Sequence, residues 1–231
     1  MERHTAAPTS PTTLPSPVLS AIGASHARLI HDRRVRTIAG TLGRIIRLRD
    51  MLRGDTTRSQ PIVDVGCGDG RVAALVAQHA QRPVVGVDPL PRPGAAIAVS
   101  AFDGARLPFA DGAASYVTLS DVLHHADDPV ALLREALRVA RHGVMLKDHL
   151  VRRPGDRLVL RAMDWVGNAP HDVRLVYRYW TEREWWDMAA AAGARVTHWE
   201  RLTDLYPAPV SWLCGRHLHV VLVVERETSI A

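Results

Sequence analysis

The sequence predicts an α/β fold: a doubly wound, mostly parallel sheet with helices on both faces and an antiparallel hairpin at its C-terminal end. Three observations lead there. Strand and helix signals alternate from Ile62 to His149, a glycine-rich turn follows the first strand directly, and the last third of the chain holds two strand-like runs around a proline-bearing loop.

Residues 1–20 include a Pro/Ser/Thr-rich run without the apolar core of a signal peptide, which reads as a disordered tail. Residues 21–231 read as one domain, with 150–180 as a lid or substrate-binding insertion. From Ser25 to Arg53, Val35, Ile38, Ala39, Leu42, Ile45 and Ile46 recur at three- and four-residue steps among arginines, the pattern of an amphipathic helix. A basic helix of this kind can lie on a membrane, but one that leads into a strand packs more readily on its own domain.

Ile62–Val65 is apolar and β-branched around one aspartate, and residues 70–80 are helical. Val84–Val87 is a strand ending at Asp88, and Ile97–Ala101 is a short strand before Asp103. Tyr116–Leu119 is a strand, Pro129–Val139 a helix, and Val144–Leu146 a strand running into Lys147-Asp148-His149. Thr181 and Glu184 fit a capping box for a helix over 182–192, which Gly193 would close. Ala194–Leu202 and His217–Val224 then form a hairpin suited to a sheet edge, with Pro207 and Pro209 between them.

At 231 residues the chain can bury one substantial core. Lys and Arg outnumber Asp and Glu by 29 to 24, and the pI is near 9.8. The arginines are dispersed, however, which suits a solvated surface better than a nucleic-acid partner. The two cysteines, Cys67 and Cys214, give no disulfide framework, and no apolar run reaches the length of a membrane span. The expectation is a cytoplasmic monomer or homodimer acting on a small molecule.

The stretch IVDVGCGDGR, Ile62 to Arg71, sets the chemistry. Its glycine turn lacks the full spacing of a dinucleotide motif and the G-K-[ST] ending of a triphosphate loop. Asp88, at a strand end, can accept from both hydroxyls of a ribose. Asp64 and Asp69 flank the turn, where carboxylates repel a pyrophosphate and suit a sulfonium or ammonium. A ligand with a ribose and a positive charge follows, and S-adenosylmethionine has both.

V-D-V-G-C-G-D-G, then G-V-D-P, F-D-G-A-R-L-P-F-A-D-G and S-D-V-L-H-H-A-D-D-P, resemble the successive motifs of class I S-adenosylmethionine-dependent methyltransferases, in their small-molecule branch. The resemblance implies a Rossmann-like seven-stranded sheet whose final strand is antiparallel. It implies Asp64, Gly66, Cys67 and Gly68 at the methionine moiety and Asp88, with Pro89, at the ribose. It further implies Asp103 and Gly104 at the adenine, and Ser120 and Asp121 near the sulfonium. Each aspartate taken alone could equally cap a helix.

Methyl transfer is an in-line displacement, so positioning dominates, and a general base helps an acidic acceptor. His149 is the first candidate base and His125 the second, because both follow strands at the expected crevice; His217 and His219 read as surface or core positions. His124, Trp165, Tyr177 and Tyr179 are candidates for the acceptor site, and clustered aromatics suggest a hydrophobic or aromatic acceptor. No metal is expected: metal-dependent relatives implied by the resemblance use carboxylate-rich magnesium sites, and successive histidines diverge unless the backbone turns. The alternatives are a nucleic-acid methyltransferase, for which the N/D-P-P-Y/F-type tetrapeptide is missing after the fourth strand, a cyclase on the same scaffold, and a non-catalytic S-adenosylmethionine-binding protein.

Overall fold

The computed structural model describes residues 17–55, 59–168, 175–203, 205–208, 210–214 and 217–227. Its strands are β1 (Ile62–Val65), β2 (Val84–Asp88), β3 (Val99–Ala101), β4 (Ala114–Ser120), β5 (Ala140–His149), β6 (Ala194–Arg201) and β7 (His219–Arg226). They form one sheet in the order β3-β2-β1-β4-β5-β7-β6. The first five are parallel, and β7 runs antiparallel to both β5 and β6. The closing hairpin therefore puts only β6 at the edge and inserts β7 beside β5.

The helices are α1 (Pro17–Arg53), α2 (Arg71–Ala80), α3 (Pro129–Val139), α4 (Asp156–Asn168), α5 (Glu182–Ala191) and α6 (Val210–Cys214). Alternate residues along the central strands face opposite layers, the period of two expected of a strand. Tyr116, Met145, Val221 and Val223 pack with the α1 stripe Ile38, Ala39, Leu42, Ile45 and Ile46, together with Val76 and Ala80 of α2. Val117, Val144, Leu146 and Leu222 face Leu132, Leu133 and Ala136 of α3 and Trp185 and Met188 of α5. Asp128 caps α3 by accepting from the Ala131 amide, with Pro129 at the first turn. Thr181 and Glu184 make the reciprocal box that opens α5.

α1 begins at Pro17, so Pro17–Ser20 of the expected tail are helical; residues 1–16 lie outside the described residues. Two elements were not anticipated. α4 lies in the segment read as a lid or substrate-binding insertion, and its signal is Leu160, Met163 and Asp164 at helical spacing. α6 sits in the loop of the closing hairpin. Among the described residues no helix is long and apolar enough to cross a membrane.

At the foot of the sheet, away from the carboxyl ends of the parallel strands, buried Arg82 donates to Asp50 at 2.8 Å and to Asp55 at 2.7 Å, and Tyr116 donates to Asp50 at 2.9 Å. α1 is also tied across the sheet, through Arg44 to Glu200 and Arg53 to Glu225.

Candidate active site

The turn after β1 is left-handed at Gly66, and a Cβ there would lie 2.6 Å from a Val122 methyl, so only glycine lets the turn rest against the segment after β4. At Gly68 the nearest atom to such a Cβ is 4.0 Å away, and this side of the turn is open. The Gly68 and Leu90 amides each donate to one oxygen of Asp88 at 2.8 Å, fixing the carboxylate beside the turn. Asp64, 3% exposed, accepts from Thr118 at 2.6 Å, and burial pushes its carboxyl up to about 7. Burial likewise pushes the Cys67 thiol up to about 12, which leaves it unreactive. Asp103 accepts from the Ala105 and Arg106 amides at 2.8 and 2.7 Å, and these bonds hold its pKa down. Ser120 Oγ is buried with no hydrogen-bond partner in the structure.

Next to this turn, beyond the ends of β4 and β5, lies a cavity of ≈ 90 Å³ whose walls include Arg34, Asp121, His124, His125, His149 and Asp164. Met163 and Tyr206 complete the lining. Asp121, in a left-handed conformation just after β4, receives Lys147 Nζ on both oxygens at 2.5 and 2.6 Å and Arg34 at 3.3 Å. Burial alone would raise the Asp121 pKa, but the charges of Lys147, His149 and Arg34 hold it well below the carboxylate range. Lys147 is the only lysine in the chain and is fully buried.

Asp148 Oδ1 meets Nδ1 of His124 at 2.7 Å and Nδ1 of His149 at 3.2 Å. Burial lowers both histidine pKa values, and Asp148 reverses the sign only for His124, which ends raised, whereas His149 ends lowered. Asp164, from α4, accepts from the Tyr179 hydroxyl at 2.5 Å. His219, paired with His149 across β5 and β7, has its ring centroid 5.2 Å from that of His149 with the planes tilted by 47°, and neither of its nitrogens has a hydrogen-bond partner.

A family described as a methyltransferase domain matches residues 31–199. The chain belongs to that family. The cofactor of this methyltransferase family is S-adenosylmethionine. An uncharacterized methyltransferase from Mycobacterium sp. (strain KMS) is 34% identical over 119 residues, which cover 48% of this chain and 42% of that protein. The YcgJ protein of Bacillus subtilis has a TM-score of 0.56 at 17% identity, covering 81% of this chain and 98% of its own. A putative sarcosine dimethylglycine methyltransferase from Galdieria sulphuraria has a TM-score of 0.58 at 12% identity, covering 80% and 85%. At these identities the two structures speak for the fold, which is the class I arrangement expected from the motifs.

Within this methyltransferase domain, His124, His125, His149 and Asp121 come together at the cavity. The rings of His124 and His125 do not diverge as expected: their centroids are 3.9 Å apart, because the backbone there makes a 3₁₀ turn. Tyr179 is buried and reaches the cluster through Asp164, while Trp165 is 61% exposed and lies outside the cavity wall. Tyr177 is half-buried, in a left-handed conformation, with Arg161 over its ring. Sequence reasoning missed Arg34, Lys147, Asp164 and His219. A lone lysine at the end of an apolar strand was the one available signal among these, since the others are placed by tertiary contacts.

Proposed function

We propose that this protein transfers the methyl group of S-adenosylmethionine to a small acceptor whose reacting end enters the histidine-lined cavity. That cavity carries the proposal: it lies beyond the carboxyl ends of the central parallel strands, where open α/β sheets bind their ligands. S-adenosylmethionine supplies, when bound, an electrophilic methyl carbon on a sulfonium. In this reading the turn Gly66-Cys67-Gly68 lies against its amino-acid end through the open side at Gly68. The turn's amides are taken by Val87 and Asp88, and Asp64, implied at the methionine moiety, is buried against Thr118 instead. Asp88, beside Pro89, receives the ribose hydroxyls, Asp103 and Gly104 the adenine, and Ser120 and Asp121 stand near the sulfonium. The open side of Gly68 and the unpartnered Ser120 hydroxyl suit such a ligand.

His149 takes the acceptor's proton, oriented through its Nδ1 by Asp148, and His125 in the same wall is the second candidate. The cavity has room for a reacting group, not a whole metabolite, so the body of the acceptor lies outside it. Met163 and Tyr206 in the wall, and the exposed Leu158, Trp165 and Val166 of α4, support an apolar or aromatic body. The described parts of residues 150–180, namely 150–168 and 175–180, accordingly act as the lid over that body, with Tyr179 on its inner side; residues 169–174 lie outside the described residues.

The test is formation of S-adenosylhomocysteine from S-adenosylmethionine across a panel of phenols and apolar alcohols, with Asp88→Ala beside the parent. Product that depends on the acceptor and disappears in the variant supports the proposal. Cofactor binding without product from any acceptor points to a binding protein, and no cofactor binding overturns the cofactor assignment.

A further inference from the structure

We propose that His124, His149 and Asp164 form a binding site for one divalent metal ion of the zinc type, with an open coordination position facing the cavity. The Nε2 atoms of both histidines lie 3.8 Å from the same atom, Asp164 Oδ1. This separation is too long for a hydrogen bond. It is a few tenths of an ångström wider than the roughly 3.4 Å between ligands that sit about 2.1 Å from a tetrahedral ion. Two imidazole nitrogens equidistant from one carboxylate oxygen, and hydrogen-bonded to it by neither, is an arrangement an ion would contract.

The supporting atoms are also in place. A ligating histidine ordinarily gives its second nitrogen to a carboxylate, and here Asp148 Oδ1 takes Nδ1 of both rings at 2.7 and 3.2 Å. That bonding leaves the two Nε2 lone pairs for a ligand. The remaining oxygen of Asp164 accepts from Tyr179 at 2.5 Å, which fixes the carboxylate. An independent observation points the same way: His124 is 1% exposed, yet its Nε2 has no hydrogen-bond partner in the structure. A buried nitrogen in that condition is costly unless something binds it.

Asp121 offers a ligand atom within 4.8 Å of those of His124, Asp148 and His149. Both its oxygens are held by Lys147, however, so the ammonium already supplies the cation there. Two imidazoles and one carboxylate favour a zinc-type ion over magnesium. The expectation of no metal rested on the carboxylate-rich magnesium sites that the resemblance implies and on the divergence of successive histidines; this site takes only one of that pair, and its partner comes from the end of β5.

An ion at this point would use the Nε2 that a free base would need. It would instead acidify an acceptor hydroxyl bound at the open position, whose proton leaves to water before the oxygen attacks the methyl carbon. Binding of the ion itself does not depend on methyl transfer and can be measured alone.

The full-length chain, stripped with chelator and titrated with Co²⁺ and Zn²⁺, is expected to take up one ion per molecule, with the visible absorption of a nitrogen- and oxygen-ligated Co²⁺. Affinity is expected to fall about 100-fold or more in His124→Ala and His149→Ala, about 10- to 100-fold in Asp148→Asn, and not at all in the distant His79→Ala. Tyr179→Phe keeps the ring and loses only the bond to Asp164; it provides a conservative variant, expected to bind about tenfold more weakly. No saturable uptake by the parent overturns the site, as does uptake that survives unchanged in both histidine variants. In either case, methyl transfer that continues in chelator would leave the proposed function standing without a metal.

Discussion

Charge is buried at both ends of the sheet, and the two ends handle it differently. At the foot, both oxygens of Asp50 are engaged, one by Tyr116 and one by Arg82, and Arg82 reaches on to Asp55; only its Nη1 lacks a partner. At the carboxyl end of the strands, Lys147 and Asp121 are paired just as closely. Beside them His124, in the wall of a cavity, has an Nε2 with no partner. Groups that meet at hydrogen-bond distance hold elements together. Groups oriented toward a shared space wait for something else to enter it.

Disturbing the foot should therefore cost stability and leave ligand binding alone. Asp50→Ala leaves Arg82 with one carboxylate and is expected to lose about 3–5 kcal/mol in urea denaturation, while the rise in melting temperature on adding S-adenosylmethionine stays the same. A loss below about 1 kcal/mol would mean the foot network is not structural.

At the other end the pattern should invert. His149→Ala is expected to slow methyl transfer by about 100-fold or more, worth about 2.7 kcal/mol in the transition state, with cofactor binding intact. Near-normal turnover in that variant would remove His149 from the chemistry. Asp88→Ala should act on the cofactor instead. The parent should gain about 2.7 kcal/mol at a hundredfold excess of cofactor over its dissociation constant, a rise of roughly 5–10 °C. The variant should lose most of that rise.

A pH dependence, at most about 1.4 kcal/mol for each pH unit, sharpens the contrast within the turn itself. The folded Asp64 carboxyl titrates near 7, above its unfolded value, so the folded chain keeps a proton that the unfolded chain releases. That contribution to stability is full below about pH 4 and is lost as the pH rises through 7, with a slope of at most about 1.4 kcal/mol per pH unit. Denaturation of Asp64→Asn across pH 4–8 should flatten that slope. An unchanged slope would place the titration elsewhere.

What could be read in the sequence is what neighbouring residues determine. The glycine turn, the Asp128 and Thr181 caps and the acids at strand ends each act within a few positions, and the strands and helices they bound are present in the structure. α4 escaped because its buried positions lie among exposed apolar residues, which blurs the helical stripe. In the site, His149 was legible as a histidine following a strand, and His124 as a candidate for the acceptor site. Their convergence on Asp164 was not, because that carboxylate comes from α4 and is held by a tyrosine 15 residues further on. His219 reads in the sequence only as a surface or core position, because strand pairing alone brings it beside His149.

The ties of α1 carry a consequence for how the chain reaches its native state. The helix precedes every strand, yet its bonds through Arg44 and Arg53 go to residues 156 and 172 positions later. Those contacts cannot form until β6 and β7 have been synthesised, and β5 has no antiparallel neighbour before β7 arrives. Assembly of this sheet therefore belongs to the completed chain, with the slow kinetics and aggregation risk that long-range pairing brings. Until then, the apolar stripe of α1 lacks Val221 and Val223, which complete its cover in the folded protein.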